Sequence, residues 1–199
     1  MIDGDIILSQ VSTLQKSLRS PPYSLPTVVL SLDDIYLTHD DQLALAASHP
    51  TNPLLRHRGQ PSTHDIELGE SIFMALRENR PVAIPQYDKS AFSGQGDRVP
   101  ESQWETVNGD GDEKIQAVIF EGWCVGFRPL DDDSLKKKWE EAVLQRRGGQ
   151  YDGQLAYVKL EDAKIINDAL RNYNGLIEYV TGRNRIHCFH IDFFFWLTR

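Results

Sequence analysis

Two short apolar runs close directly on carboxylates: Thr27 to Leu32 on Asp33-Asp34, and Gln116 to Phe120 on Glu121. Neither is long enough for a helix. Neither alternates apolar with polar, as a strand with one wet face must. Both read as strands buried on two faces, the pattern of a parallel sheet. "PVAIPQYDKS" (81–90) reads as a further strand ending in polar groups, and "IHCFHID" (186–192) as a fourth.

The segments between them carry helical periodicity. Ile7, Val11, Leu14 and Leu18 recur at 4-3-4 spacing and predict a helix over 5–19, with Asp3 or Asp5 as its cap. A short helix is predicted over 40–48. Leu68, Ile72 and Leu76 define one face of a helix running to Glu78, with Thr63 or Asp65 as its cap. "DDDSLKKKWEEAVLQRRGG" reads as an exposed helix behind an acidic cap, its Lys136 to Lys138 a solvated face. Ile166, Leu170, Tyr173, Ile177 and Val180 predict one helix over "LEDAKIINDALRNYNGLIEYV". Residues 49–65 and 90–114 are long loops, the second an acidic surface excursion. Strands alternating with helices indicate a single α/β domain with a parallel sheet between helical layers. Ligands of such sheets bind beyond the carboxyl ends of the strands, and Asp33, Asp34, Tyr87, Asp88, Lys89 and Glu121 are all expected there.

Composition narrows the partners. The 199 residues are 40% hydrophobic and 25% charged, enough for one core, and the net charge is −8. A whole-chain nucleic-acid or anionic-membrane surface is therefore not expected. Two cysteines, Cys124 and Cys188, make neither a disulfide framework nor a zinc pattern. With no signal-peptide pattern and no apolar run of spanning length, the expectation is a cytoplasmic protein.

Each cluster admits two readings. Asp33-Asp34 past a strand end suits a divalent cation or a proton acceptor, and equally a turn or helix cap. Glu121 sits where an acid serves a Mg²⁺ ion, or is a satisfied strand-end carboxylate. Lys89 and Arg98, in a glycine-containing loop, clamp an anion or are simply solvated. His64-Asp65 is an orienting pair or a cap. "RHR" (Arg56 to Arg58) faces a phosphate or solvent. Trp123 and Phe127 read as core or pocket wall. His187 and His190 alternate along a strand with no third ligand, so no metal site is expected there.

Taken in order, "SLDDIYLTHDDQLALAASHPTNPLLRHRGQPSTHDIELG", "PQYDKSAFSGQGDR" and "VIFEGWCVGF" resemble the D-glycerate 3-kinase group of P-loop kinases, which is related to uridine kinase, pantothenate kinase and phosphoribulokinase. The resemblance covers about Val11 to Asp192. It implies a P-loop-type three-layer fold and ATP-dependent phosphoryl transfer, with Mg²⁺, to a hydroxyl of a small acid. It implies that Asp33 accepts the hydroxyl's proton, that Asp34 and Glu121 hold Mg²⁺, and that Tyr36, His64, Tyr87, Lys89 and Arg98 form the acceptor-binding wall. Lys89 and Arg98 would then face the acceptor's carboxylate.

The chain departs from that group in two places. It contains no G-x-x-x-x-G-K-[ST] phosphate cradle. Where the resemblance implies one, and the central strand before it, stands "MIDGDIILSQ", in which "DIIL" is a short stand-in. Without that strand the sheet either opens a gap or brings 116–121 against 186–191. After "HID" the resemblance implies a lid helix over ATP, and the chain reads "FFFWLTR". Residues 1–10 and 193–199 are thus atypical, as in a truncated gene product. The expectation is a kinase of the glycerate type that is inactive in this form. The alternative is a non-catalytic relative that binds a small acid or a protein partner. The sequence names no oligomeric state.

Overall fold

The computed structural model describes residues 4–151, 153–181 and 187–191. In chain order it forms helix α1 (Gly4–Arg19), strand β1 (Thr27–Ser31), helices α2 (His39–Ser48) and α3 (Ile66–Arg77), and strands β2 (Val82–Ile84), β3 (Tyr87–Asp88), β4 (Asp97–Arg98), β5 (Glu105–Val107) and β6 (Ala117–Glu121). Helices α4 (Asp132–Arg147), α5 (Leu160–Ala169) and α6 (Asn174–Thr181) and strand β7 (His187–Ile191) follow.

Strands β1, β6 and β7 form a parallel sheet in that order. Successive side chains on a strand face opposite sides, and both layers use that alternation. Val28, Leu30, Val118 and Phe120 meet Ile72, Phe73 and Leu76 of α3 and Leu176 and Ile177 of α6. Val29 and Ile119 meet Val11, Leu14 and Leu18 of α1 on the other face. Helices on both faces explain why these strands are apolar throughout, and the α/β three-layer expectation holds.

Strand β6 pairs with β7 directly, from Ala117 opposite His187 to Glu121 opposite Ile191. Of the two arrangements expected without a central strand, the sheet adopts the closed one. "DIIL" is not a stand-in strand. It lies inside α1, as the 4-3-4 spacing running back to Ile7 requires. Asp3 and the segment 193–199 lie outside the described residues.

Three expectations need correction. Strand β2 does not join the parallel sheet; it pairs antiparallel with β5, inside the segment read as a surface excursion. Pro81 and Pro85 bracket it, and a proline gives no N–H to a ladder, so the run stays three residues long. Tyr87 and Asp88 therefore end no parallel strand. They form β3, a separate two-residue ribbon with β4. Finally, the helix expected over 160–180 breaks at a 3₁₀ turn, Leu170–Tyr173. Residues i and i+3 superpose in such a turn, which turns both Leu170 and Tyr173 into the core.

Gly122 lets the end of β6 approach the turn after β1. Its φ is +156°, and a Cβ there would stand 2.5 Å from Leu32 Cβ and 3.2 Å from Val125 Cγ2. Gly122→Ala is expected to lower the free energy of unfolding by about 1–3 kcal/mol, the usual cost of overpacking a core, as read from urea denaturation.

Candidate functional site

The site begins where β1 stops. Ser31 ends the strand and caps a 3₁₀ turn, Leu32–Ile35, its hydroxyl accepting from the amide of Asp33 at 3.2 Å. Leu32 and Ile35 are fully buried and pin the turn to the core. That leaves Asp33 and Asp34 at the sheet's carboxyl edge. Ser31 stands opposite Glu121 in the β1–β6 register and its side chain hydrogen-bonds to it. Three carboxylates thus come to one corner from two parallel strands.

A ribbon closes over this corner. The amide of Tyr87 donates to Asp34 Oδ1 at 3.2 Å, and Lys89 Nζ donates to Asp33 Oδ2 at 2.6 Å. Burial pushes the Asp34 carboxyl up to about 6; the Tyr87 amide opposes this, and the charges of Asp33 and Glu121 add to it. Burial also raises Glu121, against its bond from Ser31. Like charges crowded in a dry corner resist ionisation together.

Behind Asp33 stands an aromatic stack. Tyr36 hydrogen-bonds to Asp33, and burial together with that carboxylate raises its phenol well above the ordinary range. The Tyr36 ring stacks on His64 at 4.5 Å and meets Tyr87 edge-on at 5.3 Å. His64 is buried, with Nδ1 2.6 Å from the hydroxyl of Tyr173. Burial lowers its pKa to about 3, so the ring is neutral at physiological pH. Asp65 caps α3, accepting from the amide of Leu68 at 3.0 Å. Its other oxygen takes Arg98 Nη2 at 3.1 Å, and the same nitrogen donates to the carbonyl of Tyr36 at 2.8 Å.

An open cavity of about 500 Å³ lies in front, walled by Asp33, Tyr36, Lys89, His57, Arg58 and the 93–95 turn. Of the acceptor residues anticipated from the sequence, Tyr36 and Lys89 line it with Asp33. Asp34 and Glu121 stand at the strand ends beside it. Tyr87 lies under the wall, and His64 and Arg98 support it from behind. His57 and Arg58 belong to the "RHR" cluster, for which the sequence leaves phosphate or solvent open, and neither it nor the 93–95 turn is assigned to the acceptor wall by the sequence. The only signal for them was the short basic cluster in a polar loop, because their positions depend on contacts more than thirty residues away.

The donors fit a Mg²⁺ ion in part. No group of three or more His, Cys, Asp or Glu side chains that could hold a metal occurs among the described residues. Mg²⁺, however, is commonly held by one or two carboxylates, with phosphate oxygens and waters completing its shell. Asp34 and Glu121, two strand-end carboxylates raised chiefly by burial with the charge of Asp33 adding to it, match that number and type of ligand. For ATP, the chain contains no G-x-x-x-x-G-K-[ST] motif to cradle the phosphates.

Known proteins resemble the chain in sequence and in fold. The chain is 49% identical over 143 residues to the uncharacterized kinase mug58 of Schizosaccharomyces pombe, covering 70% of this chain and 49% of that one. It is 39% identical over 146 residues to the chloroplastic D-glycerate 3-kinase of Arabidopsis thaliana, covering 70% of this chain and 30% of that one. The fold matches the solved D-glycerate 3-kinase of Cryptococcus neoformans with a TM-score of 0.75 and 35% identity, over 92% of this chain and 58% of that one. The chain is homologous to the D-glycerate 3-kinases. It spans half or less of the length of these two curated relatives. It matches no family model. No helix among the described residues is long and apolar enough to cross a membrane.

The buried imidazole makes a pH prediction. Its folded pKa, about 3, lies below the unfolded value near 6.5. Between these values the unfolded chain binds more protons, so this contribution to stability is full above about pH 6.5 and is lost as pH falls. His64→Gln stays neutral throughout. It should be less stable than the parent at pH 7, and the gap should narrow steadily towards pH 4, as measured by urea titration of both proteins at each pH.

Proposed function

We propose that these residues form the acceptor side of an ATP-dependent small-molecule kinase of the D-glycerate 3-kinase type. Asp33 receives the proton of the acceptor's hydroxyl. Asp34 and Glu121 are the residues that would hold Mg²⁺, whose charge offsets the negative charge that gathers in phosphoryl transfer. Tyr36 and Lys89 orient Asp33, Tyr87 anchors Asp34, and His64 and Arg98 hold the wall behind them. The substrate is a short hydroxy acid, glycerate being the first to test. The observation that carries this reading is the meeting of three carboxylates and a lysine at the ends of two parallel strands, beside an open cavity, in a homologue of D-glycerate 3-kinases.

Phosphoryl transfer depends on a cradle for the nucleotide's phosphates. Backbone amides and a lysine normally supply it, and no such loop is written in this sequence. The pocket is therefore expected to bind its acid without binding nucleotide, and these residues alone are not expected to turn over.

Two measurements on the 199-residue chain test the reading. D-glycerate at saturating concentration should raise the melting temperature by about 2 °C or more. Calorimetric titration with Mg-ATP should give no binding heat. Micromolar Mg-ATP binding would show a nucleotide site in these residues and overturn the second half. No thermal shift with glycerate or any other short hydroxy acid would overturn the first.

A further inference from the structure

We infer that Arg58 is the residue that recognises the acid group of the pocket's ligand, an inference that rests on the acceptor-pocket reading above. The sequence points instead to Lys89 and Arg98, and the geometry engages both elsewhere. Lys89 Nζ is 2.6 Å from Asp33 Oδ2, and Arg98 Nη2 is 3.1 Å from Asp65 Oδ2. Arg98 is also largely buried behind Tyr36.

Arg58 differs in what it touches. Its Nη1 donates to the carbonyls of Gly94, at 2.8 Å, and Gln95, and its Nη2 to the carbonyl of Lys89 at 3.3 Å. All three partners are neutral, and among the described residues no carboxylate forms an ion pair with it. A guanidinium carries five N–H donors, so two remain. The guanidinium carbon lies over the Tyr87 ring, 5.5 Å from its centroid. Gly96 makes room for it: a Cβ there would stand 2.8 Å from Nη1 and 2.5 Å from Tyr87 Cε1. A planar cation fixed in orientation, unneutralised and on a cavity wall is suited to a carboxylate. On the same wall Asp33 is suited to a hydroxyl. Lys89 joins the two, its carbonyl on Arg58 and its ammonium on Asp33. A ligand reaching both is therefore short and carries a carboxylate and a hydroxyl together.

Arg58 also braces the 89–96 segment, so the test must separate recognition from bracing. Glycerate and its neutral amide, glyceramide, differ only in the acid group. Their dissociation constants are measured by calorimetry for the parent chain, Arg58→Gln and Arg58→Lys. The parent should prefer glycerate by about tenfold or more, the scale of a charge-assisted bond. Arg58→Gln should bring that preference close to one, and Arg58→Lys should restore part of it, having the charge without the fork. If both affinities fall together in Arg58→Gln and the preference survives, Arg58 only braces the loop and the inference is overturned while the pocket stands. If the parent binds neither compound nor any other short hydroxy acid, the pocket reading itself falls and this inference with it.

Discussion

One carboxylate ties the site together. Asp34 leaves the sheet on a turn fixed by two fully buried side chains, and its Oδ1 takes the amide of Tyr87. That bond joins the parallel sheet to a ribbon that shares no ladder with it. Burying a carboxylate is unfavourable unless its lone pairs are satisfied, and here burial leaves the group at about 6 even with the amide in place. The cost is tolerated because the bond sets the register of everything after Tyr87. Lys89 then reaches Asp33, and its carbonyl reaches Arg58.

Charge around the cavity is arranged in three tiers. Lys89 neutralises Asp33 at the mouth, and Arg98 neutralises Asp65 behind the wall. Asp34 and Glu121 carry negative charge that no cation pairs among the described residues, and Arg58 carries positive charge that no carboxylate pairs. A pocket lined by one unpaired cation, with two unpaired carboxylates beside it, suits a ligand that brings counterparts to both. An acid group answers Arg58, and a cation answers the two carboxylates. Exposed ion pairs contribute little to stability, so the Lys89–Asp33 pair is better understood as a way of holding Asp33 in place than as a strut of the fold.

The sheet and most of its helices were legible in the sequence because burial on two faces writes a continuous apolar run, and burial on one face writes a helical period. Thr27 to Leu32, Ala117 to Glu121, and the 4-3-4 spacing of α1 all carry that signal. The break of the helix expected over 160–180 did not show, because a 3₁₀ turn that buries Leu170 and Tyr173 keeps the same apolar spacing for one turn. The β3–β4 ribbon left no trace either. Two-residue strands have no period to read, and Phe92 and Ser93 adopt left-handed backbone angles, φ 50° and 58°, that their side chains do not announce. Among the site residues, Asp33, Asp34 and Glu121 were visible because a strand-end carboxylate is a local pattern. Arg58 was visible only as part of a basic cluster facing a phosphate or solvent, since its place on the wall comes from carbonyls 31 to 37 residues further along the chain. The resemblance puts Lys89 on the ligand's carboxylate, and the structure puts its ammonium on Asp33, a distinction only geometry makes.

The pocket is built by hydrogen bonds between segments far apart in the chain. The bonds that build it run among 31–37, 58–65, 87–98 and Glu121, with Tyr173 holding His64 from α6's approach. Further support comes from the indole of Trp123, which donates to the carbonyl of Gly59 at 2.7 Å and pins the long 49–65 loop to the end of β6. Those segments meet through the β1–β6 pair, and α1 touches the sheet on the face opposite α3 and α6. Direct pairing of β7 with β6 closes the sheet on the side away from β1. Trp123, Tyr173 and α6 therefore support the wall from the near side of the sheet, while α1 lies against the far face of β1 and β6. Packed interiors transmit strain, so the wall's geometry depends on these supporting contacts as well as on its own hydrogen bonds.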